Sequence, residues 1–157
     1  MSKLPYMNSR CNPVQSQQRI QKMLVKFGVD RISFDTNLKD GELSIKFLYK
    51  GIPVKLPVNY ARLADRYLDE DPYTDRKRIS EEDWIANKRE IASRAAFSIL
   101  EDFLRGAITM VEMGVLPFED VFIGSFINSK GIRLGDIIIP HLPEFIGGKL
   151  ALTEGKE

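Results

Sequence analysis

The residues with the clearest capacity for chemistry lie between positions 69 and 94. Arg76, Lys77 and Arg78 form a basic run, and Lys88, Arg89 and Arg94 resume it after an acidic interruption. Grouped guanidinium and ammonium heads can contact phosphate oxygens, so these six are the candidate nucleic-acid-binding or partner-binding residues. Glu81, Glu82, Asp83 and Glu90 are interleaved with them, and a mixed face of this kind is most often a solvated helix surface. Just ahead, Asp69, Glu70, Asp71 and Asp75 could gather a divalent cation, the basis of an alternative reading as a metal-dependent enzyme. They lack the alternate spacing and the glycine of a calcium loop. The plainer reading is a solvated loop whose carboxylates pair with Arg76, Lys77 and Arg78, at little gain in stability.

Other chemistries lack their parts. Cys11 and His141 are the single cysteine and single histidine, too few for the three or four ligands of a zinc site. His141 sits between Pro140 and Pro143, and the chain has no nucleophile elbow to serve it. Gly147-Gly148-Lys149 lacks the remaining glycine and the Ser or Thr of a phosphate loop. No catalytic residue, cofactor or metal is expected, and the preferred expectation is a non-enzymatic binding protein.

The whole chain has 157 residues, 43% of them hydrophobic and 10% aromatic, which suits one domain with a real core. Lys and Arg (23) almost balance Asp and Glu (22), so a net charge of +1 cannot coat nucleic acid or an anionic membrane through overall field. A lone cysteine fits a reducing compartment, and neither a signal-peptide apolar region nor a membrane-length apolar run is present. A cytoplasmic location with no membrane partner is the expectation.

The candidate residues are positioned by one long helix expected from Ser80 to Gly114. Ser80 can accept from first-turn amides, and Glu81, Glu82 and Asp83 suit the positive end of the helix dipole. Gly114 can close the helix in a left-handed conformation, and Pro117 stops its continuation. Ile85, Ala92, Ala96, Ile99, Phe103, Ala107 and Met110 recur at helical spacing, with Trp84, Ile91, Ala95, Leu100, Leu104, Ile108 and Val111 widening the stripe. That width implies burial on more than one side.

Ahead of it, residues 1–13 read as an extended arm that orders only against a partner or the body. Val14, Ile20, Met23, Leu24 and Phe27 predict a first helix, with Gln15 to Arg19 outward. Three β-forming runs follow at 29–36, 42–50 and 52–60, and in the second Leu43, Ile45, Phe47 and Tyr49 alternate with polar residues. Pro53 and Pro57 make the third an edge strand or an irregular one. A two-turn helix at 60–68 and a charged loop at 69–78 complete the approach to the long helix. Pro117-Phe118-Glu119-Asp120 begins a short helix with Pro117 at its first position. Asn128–Gly131 is a turn and 147–157 a tail. The expected fold class is α+β: short helix, three-stranded antiparallel meander, long helix and short C-terminal helical cap, with one domain over 14–146. Phe118, Val121 and Phe122 should fold that cap back onto the long helix near Ile108 and Val111.

Two resemblances bear on function. The α-β-β-β-α order, with Lys88-Arg89-Glu90-Ile91-Ala92-Ser93-Arg94-Ala95-Ala96 as a basic, alanine-rich helix, resembles the double-stranded-RNA-binding domain. That resemblance implies RNA contact through the helix. Two features differ from the family: residues 61–79 separate the third strand from the helix, and Asn37-Leu38-Lys39-Asp40-Gly41 replaces its Gly-Pro-x-His loop. Over most of its length the chain is similar to an uncharacterised family of small proteins from phages and integrated mobile elements. The similarity rests on the Trp84 helix leading into Ala107–Val115, on Pro117–Phe122, on the turn near Gly131 and on Gly51–Val58. It implies a setting, with a host or phage protein, or a component of nucleic-acid metabolism, as partner. Direct nucleic-acid binding through Arg76–Arg94 is the alternative. Self-association as a homodimer is also expected, from the apolar width of the long helix and from Val115, Leu116, Phe118 and Phe122.

Overall fold

The computed structural model describes residues 4–147. Helix α1 (Pro13–Phe27) is followed by strands β1 (Arg31–Asn37), β2 (Glu42–Tyr49) and β3 (Ile52–Asn59), then by helices α2 (Tyr60–Glu70) and α3 (Glu81–Glu112). Short helices α4 (Phe118–Phe122), α5 (Leu134–Ile138) and α6 (Leu142–Ile146) close the described chain, with 3-10 turns at Ile123–Ser125 and Ile139–His141. The fold is α+β, with one antiparallel sheet in the order β1-β2-β3.

The helix ends have identifiable causes. Asn12 caps α1 by accepting from the amides of Val14 and Gln15, with Pro13 in the first turn. Ser80 caps α3 by accepting from Asp83, as the sequence implies. At the far end Gly114 takes a φ of 71°, Val115 N–H reaches the Met110 carbonyl at 2.9 Å and Gly114 N–H reaches Val111 at 3.1 Å. This double closure reverses the chain and needs a residue tolerant of the left-handed region. Pro117 stands one position before the first helical residue of α4, at the cap, where its ψ of 157° is extended and not helical.

The register sets Ile32, Phe47 and Val54 side by side, and likewise Phe34, Ile45 and Leu56, on the face turned to the core. β2 and β3 contribute fully buried side chains to that face, whereas Ile32 and Phe34 of the edge strand β1 are half-buried. β3 is the other edge, as its two prolines require.

Helices α1 and α2 both pack along α3, which explains why α3 is buried on more than one side. Its buried set includes Phe97, Glu101 and Lys88, none of them in the expected stripe, while Ile85, Phe103 and Met110 remain exposed. In α1, Val14 is exposed, and Ser16, expected outward, is buried with its hydroxyl donating to the Phe97 carbonyl at 3.4 Å. A small hydroxyl there lets α1 approach the α3 backbone and satisfies its own hydrogen bond. Beside it Arg19 pairs with the buried Glu101.

The arm lies on the body. Met7 is buried, Tyr6 Oη donates to Asp102 at 2.5 Å, the hydroxyls of Ser9 and Ser98 are 3.2 Å apart, and Tyr67 Oη donates to the Pro5 carbonyl at 2.9 Å. The cap also folds back, with Phe122 edge-on to Phe47 at 5.8 Å and to Phe103 of α3 at 6.5 Å. Phe118 fills the space between Phe27, Tyr49 and Phe126. Of the expected tail, only Gly147 falls among the described residues; 148–157 lie outside them.

Candidate functional site

The basic residues do not form one open surface. α2 runs two residues further than the sequence implies, so Asp69 and Glu70 belong to a helix and the loop begins at Asp71. Asp71 becomes the centre of a cluster: Lys88 Nζ lies 2.8 Å from its carboxylate, Lys77 Nζ lies 3.7 Å away, and Trp84 Nε1 donates to its backbone carbonyl at 3.1 Å. The two ammonium groups also lie over the Trp84 ring, at 4.2 Å for Lys77 and 4.6 Å for Lys88. Lys88 is buried, not on a solvated face, and its ammonium group is met by the Asp71 carboxylate and the Trp84 ring.

The hydrogen bond from Lys88 holds the Asp71 carboxyl below the usual aspartate range, against partial burial, and the charges of Lys88 and Lys77 add to the effect. Arg89 donates from Nη2 to the carbonyls of Leu38 and Lys39, both at 3.0 Å, and so holds the β1–β2 turn to α3. Arg94 Nη2 lies 3.7 Å from Glu90, one helical turn away. Of the six candidates, Arg76 and Arg78 are exposed, and no ion pair engages them among the described residues. Relative to the double-stranded-RNA-binding resemblance, α2 and the Asp71 loop stand between the sheet and the basic helix, and Arg89 faces the turn.

Among the described residues no three of His, Cys, Asp and Glu gather to hold a metal ion. His141 is exposed and lies 3.6 Å from Glu144. An open hollow of about 540 Å³ lies against the sheet, lined by residues of all three strands and by Ile127. No helix of the described residues is long and apolar enough to cross a membrane.

A second feature was not singled out by the sequence. The segment after the Asn128 turn is anchored at its base: Arg133 Nε donates to the Lys55 carbonyl at 3.1 Å, and Leu134 N–H donates to Phe126 at 2.8 Å. Gly135 lies so close to Gly124 that a Cβ there would stand 2.7 Å from the Gly124 carbonyl oxygen. Beyond this anchor burial ceases, and no residue from Asp136 to Gly147 is buried. Pro140 and Pro143 divide the segment into short helices, each of the two carrying a proline in its first turn. Ile137, Ile139, Leu142, Phe145 and Ile146 are exposed, Phe145 at 72%. Leu142, Phe145 and Ile146 stand at i, i+3 and i+4 and share one helical face. The legible signal was an apolar run with few charges, interrupted by two prolines.

Comparison of the chain with protein-family models, with curated proteins and with solved structures gives no match.

Proposed function

We propose that this chain is a non-enzymatic binding protein of the phage or mobile-element type, acting in the cytoplasm on a host protein or a component of nucleic-acid metabolism through residues 137–146. The observation that carries the reading is the segment's lack of burial: five large apolar side chains sit on short helices that follow the anchor at Arg133–Gly135. Exposed apolar side chains gathered in this way mark interaction surfaces. Leu142, Phe145 and Ile146 have the spacing with which a helix enters an apolar groove. A protein partner is favoured over nucleic acid because Lys77, Lys88, Arg89 and Arg94 already serve contacts within the fold. The carboxylate most central to a metal-enzyme reading, Asp71, is held by two ammonium groups.

The test is affinity capture from nuclease-treated host lysate, comparing the unaltered chain with Phe145→Asp and with Arg76→Ala/Arg78→Ala. A captured protein lost with Phe145→Asp and retained with the arginine variant is the expected result. Capture that needs nucleic acid or the two arginines overturns it in favour of nucleic-acid binding. Retention by Phe145→Asp overturns the assignment of the surface.

A further inference from the structure

The two edges of the sheet are treated differently. β3 carries Pro53 and Pro57, which offer no N–H to a further strand, and Ile127 crosses it with its N–H donating to the Pro53 carbonyl at 3.1 Å. Proteins commonly guard their edges by such means. β1 has no proline and pairs with β2 residue for residue from Arg31 to Asn37 without a bulge. Among the described residues no other segment makes a backbone hydrogen bond to it. Its core-side residues Ile32 and Phe34 are left half-buried.

β1 is also self-complementary. A second copy laid antiparallel about a two-fold axis through Ser33 sets Arg31 opposite the partner's Asp35, and Ile32 opposite the partner's Phe34. Core faces stay on the same side only if the register shifts by whole residue pairs. An axis through Ile32 would set Arg31 against the partner's Ser33. An axis through Phe34 would set it against the partner's Asn37. Of these three registers, only that about Ser33 sets Arg31 against an opposite charge and Ile32 against Phe34.

We propose that β1 pairs with β1 of a second copy of this chain, joining two three-stranded sheets into one continuous antiparallel sheet. Two Arg31–Asp35 pairs lie on its outer face, and two Ile32–Phe34 contacts complete burial on its core face. Asp35 has an exposed carboxylate 3.6 Å from Lys46 Nζ, and its remaining lone pairs can accept a guanidinium. The self-match selects a second copy as the occupant over an unrelated extended peptide. Because the seam is short, dissociation on the order of micromolar is expected.

The test is a dilution series by sedimentation velocity on the full chain, on Arg31→Asp, on Asp35→Arg and on the double variant, with circular dichroism to show that each folds. Each single reversal sets two like-charge pairs across the seam and should weaken the dimer about tenfold or more, and the double reversal should restore it. Phe145→Asp should leave the dimer unchanged, which separates this seam from the surface at 137–146. Hydrogen exchange of the unaltered chain gives a second reading, with β1 amides slowing as concentration rises. A monomer at every concentration overturns the proposal, as does a dimer indifferent to the single reversals or one that the double reversal fails to restore.

Discussion

Lys88 Nζ stands 2.8 Å from Asp71 Oδ2 with its side chain only 8% exposed, whereas the Asp71 side chain keeps 43% exposure. The pair is lopsided: the ammonium depends on the carboxylate much more than the carboxylate depends on it. Removing Asp71 strands a charge in the interior, while removing Lys88 leaves an aspartate that water and Lys77 still serve.

Asp71→Asn should therefore cost about 1–3 kcal/mol, less than the roughly 3–5 kcal/mol of breaking a fully buried pair because Asp71 is partly solvated. Lys88→Met keeps an unbranched side chain of similar length and removes the charge, so it should be near neutral. Urea unfolding of the two variants measures the asymmetry, and equal losses would contradict it.

The same pair fixes a pH dependence. The folded-state pKa of Asp71 is depressed, so its contribution is present in full above the ordinary unfolded value of about 3.9 and is lost as pH falls through the lower folded value. Melting temperatures followed downward from pH 5 should fall in that window, with a smaller fall in Lys88→Met. An identical acid limb in both proteins would assign the loss to other carboxylates.

Gly41→Ala should destabilise by at least about 1–2 kcal/mol through its left-handed backbone alone. The φ there is 66°, and an added Cβ would meet Ala61 Cβ at 2.6 Å and Arg89 Nη2 at 3.0 Å. The displaced Arg89 would release the Leu38 and Lys39 carbonyls, so hydrogen exchange in residues 38–41 should quicken along with the stability loss. Gly51→Ala meets no neighbouring atom and tests the backbone contribution by itself.

Phe122→Ala should cost about 3–5 kcal/mol, since the ring is 1% exposed and touches Phe47, Phe103 and Phe118. Phe145→Asp should leave the melting temperature within the small range of surface substitutions. Thermal unfolding of the two side by side separates the buried half of the C-terminal region from its exposed half.

Elements were legible in the sequence wherever a local cause acts. Ser80 and Gly114 mark the ends of α3 by their own hydrogen bonding and backbone freedom, and β2 shows its buried face by alternation. Contacts set by distant partners were not legible. Lys88 reads as a solvent residue until Asp71 and Trp84 are placed around it. Phe97 and Glu101 fall outside a single stripe because α1 makes a second buried face on α3. Ile137 to Ile146 have the apolar content of a core segment, and composition alone cannot say whether a core stands opposite. In the arm, Tyr6 and Met7 show no periodicity, and the partner of Tyr6, Asp102, lies far along the chain.

That last separation orders events during synthesis. The arm leaves the ribosome long before the residues that hold it: Tyr67 follows Pro5 by 62 positions, Ser98 follows Ser9 by 89 and Asp102 follows Tyr6 by 96. Chains are made at about 5–20 residues per second, so for seconds the arm has nowhere to dock and Met7 stays in contact with solvent or chaperone. The latch between arm and α3 therefore closes late, after most of α3 exists, and a nascent chain stalled within the 81–112 helix would carry its N-terminal segment undocked.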